Sequence, residues 1–267
     1  ESRFRGREPN IVSEEDGDWW YCDGLKLATG FGFGGAQAGK RFNDPMGMTV
    51  GDTFENVRPG GYIPDEHLKD MDIDGVDVDI IYPTLGLQLY NVPDSELLSA
   101  VFRAYNDWLG EFCGTAPKRM SGIAMLNVDD VQDAVSELKR CSKMGFAGAM
   151  ITVYPPVGKR YDQPEYEPLW GTAEELAMPL GLHAATNRHG SGEGDSATRT
   201  LSTSVNFDHY ARMSLCQIIY SGVFERHPRQ QIGSVEHEVA WAAHFLERLD
   251  YNYSQRAPGV RGLRFKD

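Results

Sequence analysis

Three stretches of this 267-residue chain hold side chains whose type and spacing could do chemistry. In "PLGLHAATN", His183 sits among apolar and small residues, where an imidazole can ligate a metal or move a proton and the alanines after it leave room for a ligand. A lone histidine in an apolar strand is also commonly a satisfied core residue, so its place in the fold has to decide. In "IGSVEHEVAW", Glu236, His237 and Glu238 follow one another. Ionisable groups in succession are costly in a core, which puts them at a strand tip. Glu236 there can be a metal ligand, a general base or a substrate contact, with a structural salt bridge as the competing role. Strand alternation sends Glu236 and Glu238 to one face and His237 to the other. The third stretch, "DMDIDGVDVDII", has the alternating Asp70, Asp72 and Asp74 and the following Gly75 of a calcium loop. Val78 holds its ninth place and Ile81 its twelfth, so no bidentate glutamate completes the oxygen shell and the calcium reading fails.

Gly75 reads better as a helix stop. A helix capped by Asp65 after Pro64 ends there, and "VDVDIIYPT" follows as a strand closed by Pro83 and Thr84. The pattern then repeats. A helix over 94–117, with a capping box at Ser95, leads to the strand "MSGIAMLNV", and the helix "DVQDAVSELKRCSKMG" stops at Gly145 before the strand "FAGAMITVYP". A helix around "PEYEPLWGTAEELAMPLG" precedes "LGLHAATN", and "QQIGSVEHE" is a strand between two further helical stretches. Short apolar strands alternating with helices predict an α/β fold with a parallel sheet and crossover helices.

Several of these strands end in polar residues, as a (β/α)8 TIM barrel requires, whereas a doubly wound sheet gathers its site at one switch point. The barrel is therefore the expected fold. His183 becomes the leading functional candidate, Glu236 the catalytic candidate, and Tyr82, Thr84, Thr152, Tyr154, His189 and His237 the expected substrate contacts. His67, His209, His227 and His244, on helix surfaces or in the "RHPR" turn, are assigned no chemistry. Residues 1–62 read as a Gly-rich insertion or lid with "GDWWYCDG" as a hairpin strand, and residues 63–267 as a partial barrel, the whole forming a single domain. The glycines of "GFGFGGAQAG" lack the strand and helix a dinucleotide turn needs, and "GKR" is not a P-loop ending. About five βα units are visible, so the first strand and the last units of an eight-unit barrel are expected outside this chain.

Composition removes other classes. A formal charge of -13 offers no cationic footprint for a nucleic-acid backbone. No apolar run approaches the roughly 20 residues of a membrane span. Cys22, Cys113, Cys141 and Cys216 stand far apart without a C-x-x-C pair and read as reduced thiols of a cytoplasmic protein. No G-x-S-x-G elbow or Cys beside His supports nucleophilic catalysis. The exposed aromatics of the Trp-rich front segment predict a homodimer or higher homo-oligomer.

Taken in order, "LKDMDIDGVDVDIIYPT", "RAYNDWLGEFC", "LGLHAATN" and "SVEHEVAWAAHFLERLD" resemble the amidohydrolase-related family, the metal-dependent barrels grouped with aminocarboxymuconate-semialdehyde decarboxylase. The resemblance implies a divalent metal, zinc or manganese, at the carboxyl end of the barrel. It carries the family's fifth-strand metal-ligand histidine onto His183. Glu236 stands where decarboxylases of the family have a histidine in an H-x-G-type motif, a departure that favours hydrolysis. The family's first-strand acid-x-His pair and last-strand Asp would fall before Glu1 and beyond Asp267. The implied function is hydrolysis of a small cyclic or carboxylated substrate by metal-activated water. The alternatives are a metal-dependent decarboxylase or hydratase on the same scaffold, and a metal-free binding barrel.

Overall fold

A computed structural model describes residues 2–30, 35–36, 51–188 and 202–256. The chain divides into two compact units, Glu1–Met125 with Cys141–Ala147, and Leu126–Arg140 with Gly148–Asp267.

The first unit opens on a three-stranded antiparallel sheet of β1 (Asn10–Glu14), β2 (Gly17–Cys22) and β3 (Leu25–Gly30). The Trp-rich segment is its central strand. Asp23 and Gly24 both have positive φ, 53° and 72°, which is what a two-residue hairpin turn needs to match strand twist. The helix α1 (Pro64–Asp74) begins two residues earlier than the sequence suggests, with Ile63 rather than Asp65 at the cap and Pro64 in the first turn, where its missing N–H costs nothing. It ends as expected on Gly75 in the left-handed conformation, φ 71°.

The strand after it is shorter than the alternation predicts. Only β4 (Asp79–Ile81) pairs, because Val76 N is spent on Met71 O, and the Arg119 guanidinium takes the carbonyls of Val76 and Asp77. The helix α2 (Ser95–Gly114) is capped by Asp94 rather than Ser95, its carboxylate accepting from Glu96 N at 3.0 Å and Leu97 N at 3.1 Å. Leu98, Phe102 and Leu109 on its buried face form a core with β5 (Met120–Met125). Buried Asn106 is fully used, donating to Met125 O and accepting from Met125 N.

The second unit contains β6 (Gly148–Thr152), β7 (Leu180–His183) and β8 (Ile232–Val235). Every residue of β6 and β7 is buried, as strands covered on both faces require. The five parallel strands run in the order β4-β5-β6-β7-β8. Consecutive order without reversal is that of a (β/α) barrel, not of a doubly wound sheet, so the expected fold class holds. Among the described residues no helix is long and apolar enough to cross a membrane.

Candidate active site

The register of the second unit sets Thr152, His183 and Val235 side by side at the carboxyl ends of β6, β7 and β8. His183 is 2% exposed. Its Nδ1 lies 2.9 Å from the Ala184 carbonyl, which can only accept, so Nδ1 carries a proton and Nε2 is the nitrogen left to bind a cation through its lone pair when the ring is neutral. Nε2 points toward Glu236, with 4.0 Å to Oε2.

The turn after β7 is held from both sides. Ala185 takes a positive φ of 64°, and Thr186 donates its hydroxyl to His183 O at 2.6 Å while accepting from Val153 N at 2.7 Å. Arg188 then forks onto the carboxylate of Asp129, with Nε 2.9 Å from Oδ1 and Nη2 on Oδ2, while its N–H donates to Tyr154 O at 3.0 Å. Lys159 Nζ ties the same segment by donating to Asp129 O at 2.8 Å.

At the end of β8 the backbone leaves the extended region. Glu236 and Glu238 have φ of 63° and 59°, uncommon for residues with a Cβ and concentrated at functional sites. The expected alternation, which set Glu236 and His237 on opposite faces, is therefore overturned, because β8 stops at Val235. His237 is buried, its Nδ1 3.0 Å from Ser234 Oγ and its carbonyl accepting from Trp241 Nε1 at 2.7 Å. Its Nε2 is buried and has no hydrogen-bond partner among the described residues. Burial, and then the neighbouring His183, push its pKa down to about 4, so the ring is neutral. Glu236 has an exposed carboxylate, 64% accessible.

Of the other expected contacts, Thr152 is fully buried and its hydroxyl is committed to the carbonyls of Tyr154 and Thr186, which makes it a support of the turn. Tyr154 is 8% exposed, and its hydroxyl accepts from Gln217 Nε2 at 2.9 Å. Tyr82 and Thr84 belong to the first unit; Tyr82 is half-buried, with its phenol pKa raised by desolvation, and Thr84 is exposed. His189 lies outside the described residues. His227 sits between Glu167 and Glu174 rather than on an open surface, with 2.9 Å and 3.4 Å to their oxygens. The Asp129–Arg188 pair, Ser234, Phe207 and Trp241 escaped the sequence reading. Asp129 and Arg188 each follow a strand tip, the one signal that could have raised them.

Among the described residues no three His, Cys, Asp or Glu side chains converge as a metal-holding group. His183 by itself fits a ligand. A buried imidazole with Nδ1–H on a backbone carbonyl is the arrangement that orients Nε2 toward a cation.

The model of the amidohydrolase family matches residues 33–250. The gamma-resorcylate decarboxylase of Rhizobium radiobacter is 29% identical over 197 residues, covering 71% of this chain and 60% of its own. This chain thus spans about 60% of the length of the curated relatives it matches first. An amidohydrolase from Mycobacterium avium subsp. paratuberculosis K-10 shares the fold at a TM-score of 0.73 over 98% of this chain and 74% of that one, at 18% identity. A 2,6-dihydroxybenzoate decarboxylase solved with 2,6-dihydroxybenzoate is 25% identical, with a TM-score of 0.55 over 75% of this chain and 62% of that one.

Proposed function

The chain belongs to the amidohydrolase family, and from that premise we propose that it is the catalytic part of a metal-dependent decarboxylase acting on a small hydroxylated aromatic acid. The observation that carries the reading is the buried His183, its tautomer fixed by Ala184 and its Nε2 4.0 Å from an exposed carboxylate. The relatives tip the choice from the hydrolysis expected from the Glu-His-Glu sequence toward loss of carbon dioxide, since they are decarboxylases of aromatic acids.

His183 would hold a divalent metal through Nε2. When bound, such an ion, manganese or zinc, would supply positive charge to offset that of a carboxylated substrate. Glu236 delivers the proton. In decarboxylation the ring carbon gains a proton as its bond to the carboxylate carbon breaks and carbon dioxide leaves. The exposed carboxylate then recovers a proton from water, which a buried one could do only slowly. The Asp129–Arg188 pair and Thr186 fix the turn that carries His183, so the imidazole meets the substrate without reorganising.

The test is carbon dioxide release from 2,6-dihydroxybenzoate by manganese- or zinc-loaded protein, run beside lactone and cyclic amide hydrolysis. Turnover of the aromatic acid alone is the expected result. Hydrolysis without carbon dioxide release overturns it.

A further inference from the structure

At the end of the second unit opposite His183, six residues line an open cavity of about 280 Å³. Ala173, Ala177, Met178 and Pro179 come from the end of the helix Glu167–Glu175 and the turn into β7, and Arg229 and Gln231 from the segment just before β8. The volume lies a little under the roughly 300 Å³ at which small-molecule pockets begin, so an occupant has to be small. Buried Ala173 and Met178 give it an apolar floor. Its polar side chains are one guanidinium and one amide, and among the described residues neither is hydrogen-bonded to protein.

Arg229 is anchored by its backbone, which leaves its charge to spare. Its N–H donates to Glu174 Oε1 at 2.8 Å, while Nε stays 3.8 Å from the same oxygen, too far for a hydrogen bond. The other oxygen of Glu174 faces His227 at 3.4 Å, so that carboxylate is already engaged.

The wall of the cavity carries strain. The helix ends in a Schellman turn, with Met178 N bonded to Ala173 O at 3.0 Å and Ala177 N to Glu174 O at 3.1 Å. Ala177, at φ 51°, stands where glycine ordinarily does. A Cβ costs stability in that conformation, and Ala177 is exposed, so no core burial offsets the cost. What the methyl does is form part of the cavity wall. Strained residues of this kind collect where a ligand is held.

We propose that this cavity binds a small monocarboxylate with an apolar body, its carboxylate on the Arg229 guanidinium and the Gln231 amide and its body against Ala173, Ala177 and Met178. A guanidinium suits a carboxylate because its N–H groups match the two oxygens. β7 has four residues, so roughly 13 Å of strand separates the cavity from the end that carries His183, and the two sites fill independently.

The probes are benzoate, benzyl alcohol, which keeps the body without the charge, and acetate, which keeps the charge without the body. Each is titrated into the nitrogen-labelled full chain, with backbone amide shifts as the readout. Benzoate should move the amides of Ala177, Met178 and Gln231 saturably, and the other two should bind at least about tenfold more weakly. Arg229→Met should weaken benzoate by about tenfold or more, while His183→Ala leaves it unchanged. Ala177→Gly should raise the urea midpoint yet bind benzoate about two- to fourfold more weakly, opposite signs that a purely structural alanine would not give. Benzoate shifts absent from these amides, benzyl alcohol binding as well as benzoate, or undiminished binding in Arg229→Met or Ala177→Gly overturns the proposal. Binding lost with His183 overturns it as well, by placing the benzoate at the other end of the strand.

Discussion

Nε2 of His183 and Oε2 of Glu236 lie 4.0 Å apart although a regular strand would separate them. His183 pairs in register with Val235, so those two side chains share a face of the sheet, and an extended Glu236 would point to the opposite face. The φ of 63° at Glu236 turns the carboxylate back. The left-handed residue costs on the order of 1 kcal/mol, and its result is an acid and an imidazole addressing one space.

His183→Ala should remove metal binding while leaving the fold. Elemental analysis should find less than about a tenth of the metal per chain seen in the unaltered protein, since losing a ligand usually costs more than the 10–100-fold of losing its supporting partner. Far-UV circular dichroism should be nearly unchanged. Undiminished metal content would remove His183 from the ligand set.

Glu236→Gln keeps the shape and removes the proton. The turnover number should fall by about a hundredfold or more, with KM within about threefold, because the group acts on the reacting carbon rather than in ground-state binding. Carbon dioxide release measured across substrate concentrations separates the two parameters. A raised KM with turnover intact would make Glu236 a binding residue.

Asp129 and Arg188 test the support of the site. Their side chains are only 12% and 7% exposed, so removing one charge strands the other in a poorly solvated place. Asp129→Asn should cost about 3 kcal/mol in urea unfolding, whereas the apolar pair Asp129→Leu with Arg188→Met should cost within about 1 kcal/mol. Equal losses from the single and double variants would show that the pair is not acting as a buried ion pair.

Much of this arrangement was legible in the chain. Gly75 and Gly145 mark helix ends because only a residue without a Cβ takes their φ of 71° and 88° at no cost, and the βα rhythm around them gave the barrel. His183 stood out as a candidate through its place at the carboxyl end of a barrel strand, since a histidine within an apolar strand is by itself commonly a satisfied core residue. The Asp129–Arg188 fork was not, since its partners are 59 residues apart and nothing local in either segment demands the other. Alternation misplaced Glu236 for a related reason: a periodicity describes a strand only while it remains extended, and β8 ends one residue too soon. The same limit shortened β4, where the carbonyls of Val76 and Asp77 go to Arg119 instead of a neighbouring strand.

Acid should weaken the protein partly through Glu167, whose carboxyl is held below the usual carboxylate range first by the Arg226 guanidinium and then by His227. A carboxylate depressed in the folded chain takes up its proton later than in the unfolded chain, so the unfolded state binds more protons as pH falls. The stabilisation is fully present above the ordinary glutamate value and is lost as pH drops through the folded one. Glu167→Gln has no such proton to gain. Its urea midpoint should therefore lie below that of the unaltered protein at neutral pH and converge with it between about pH 5 and pH 3. A constant gap across that window would mean that Glu167 contributes by packing, and that the acid limb belongs to other carboxylates.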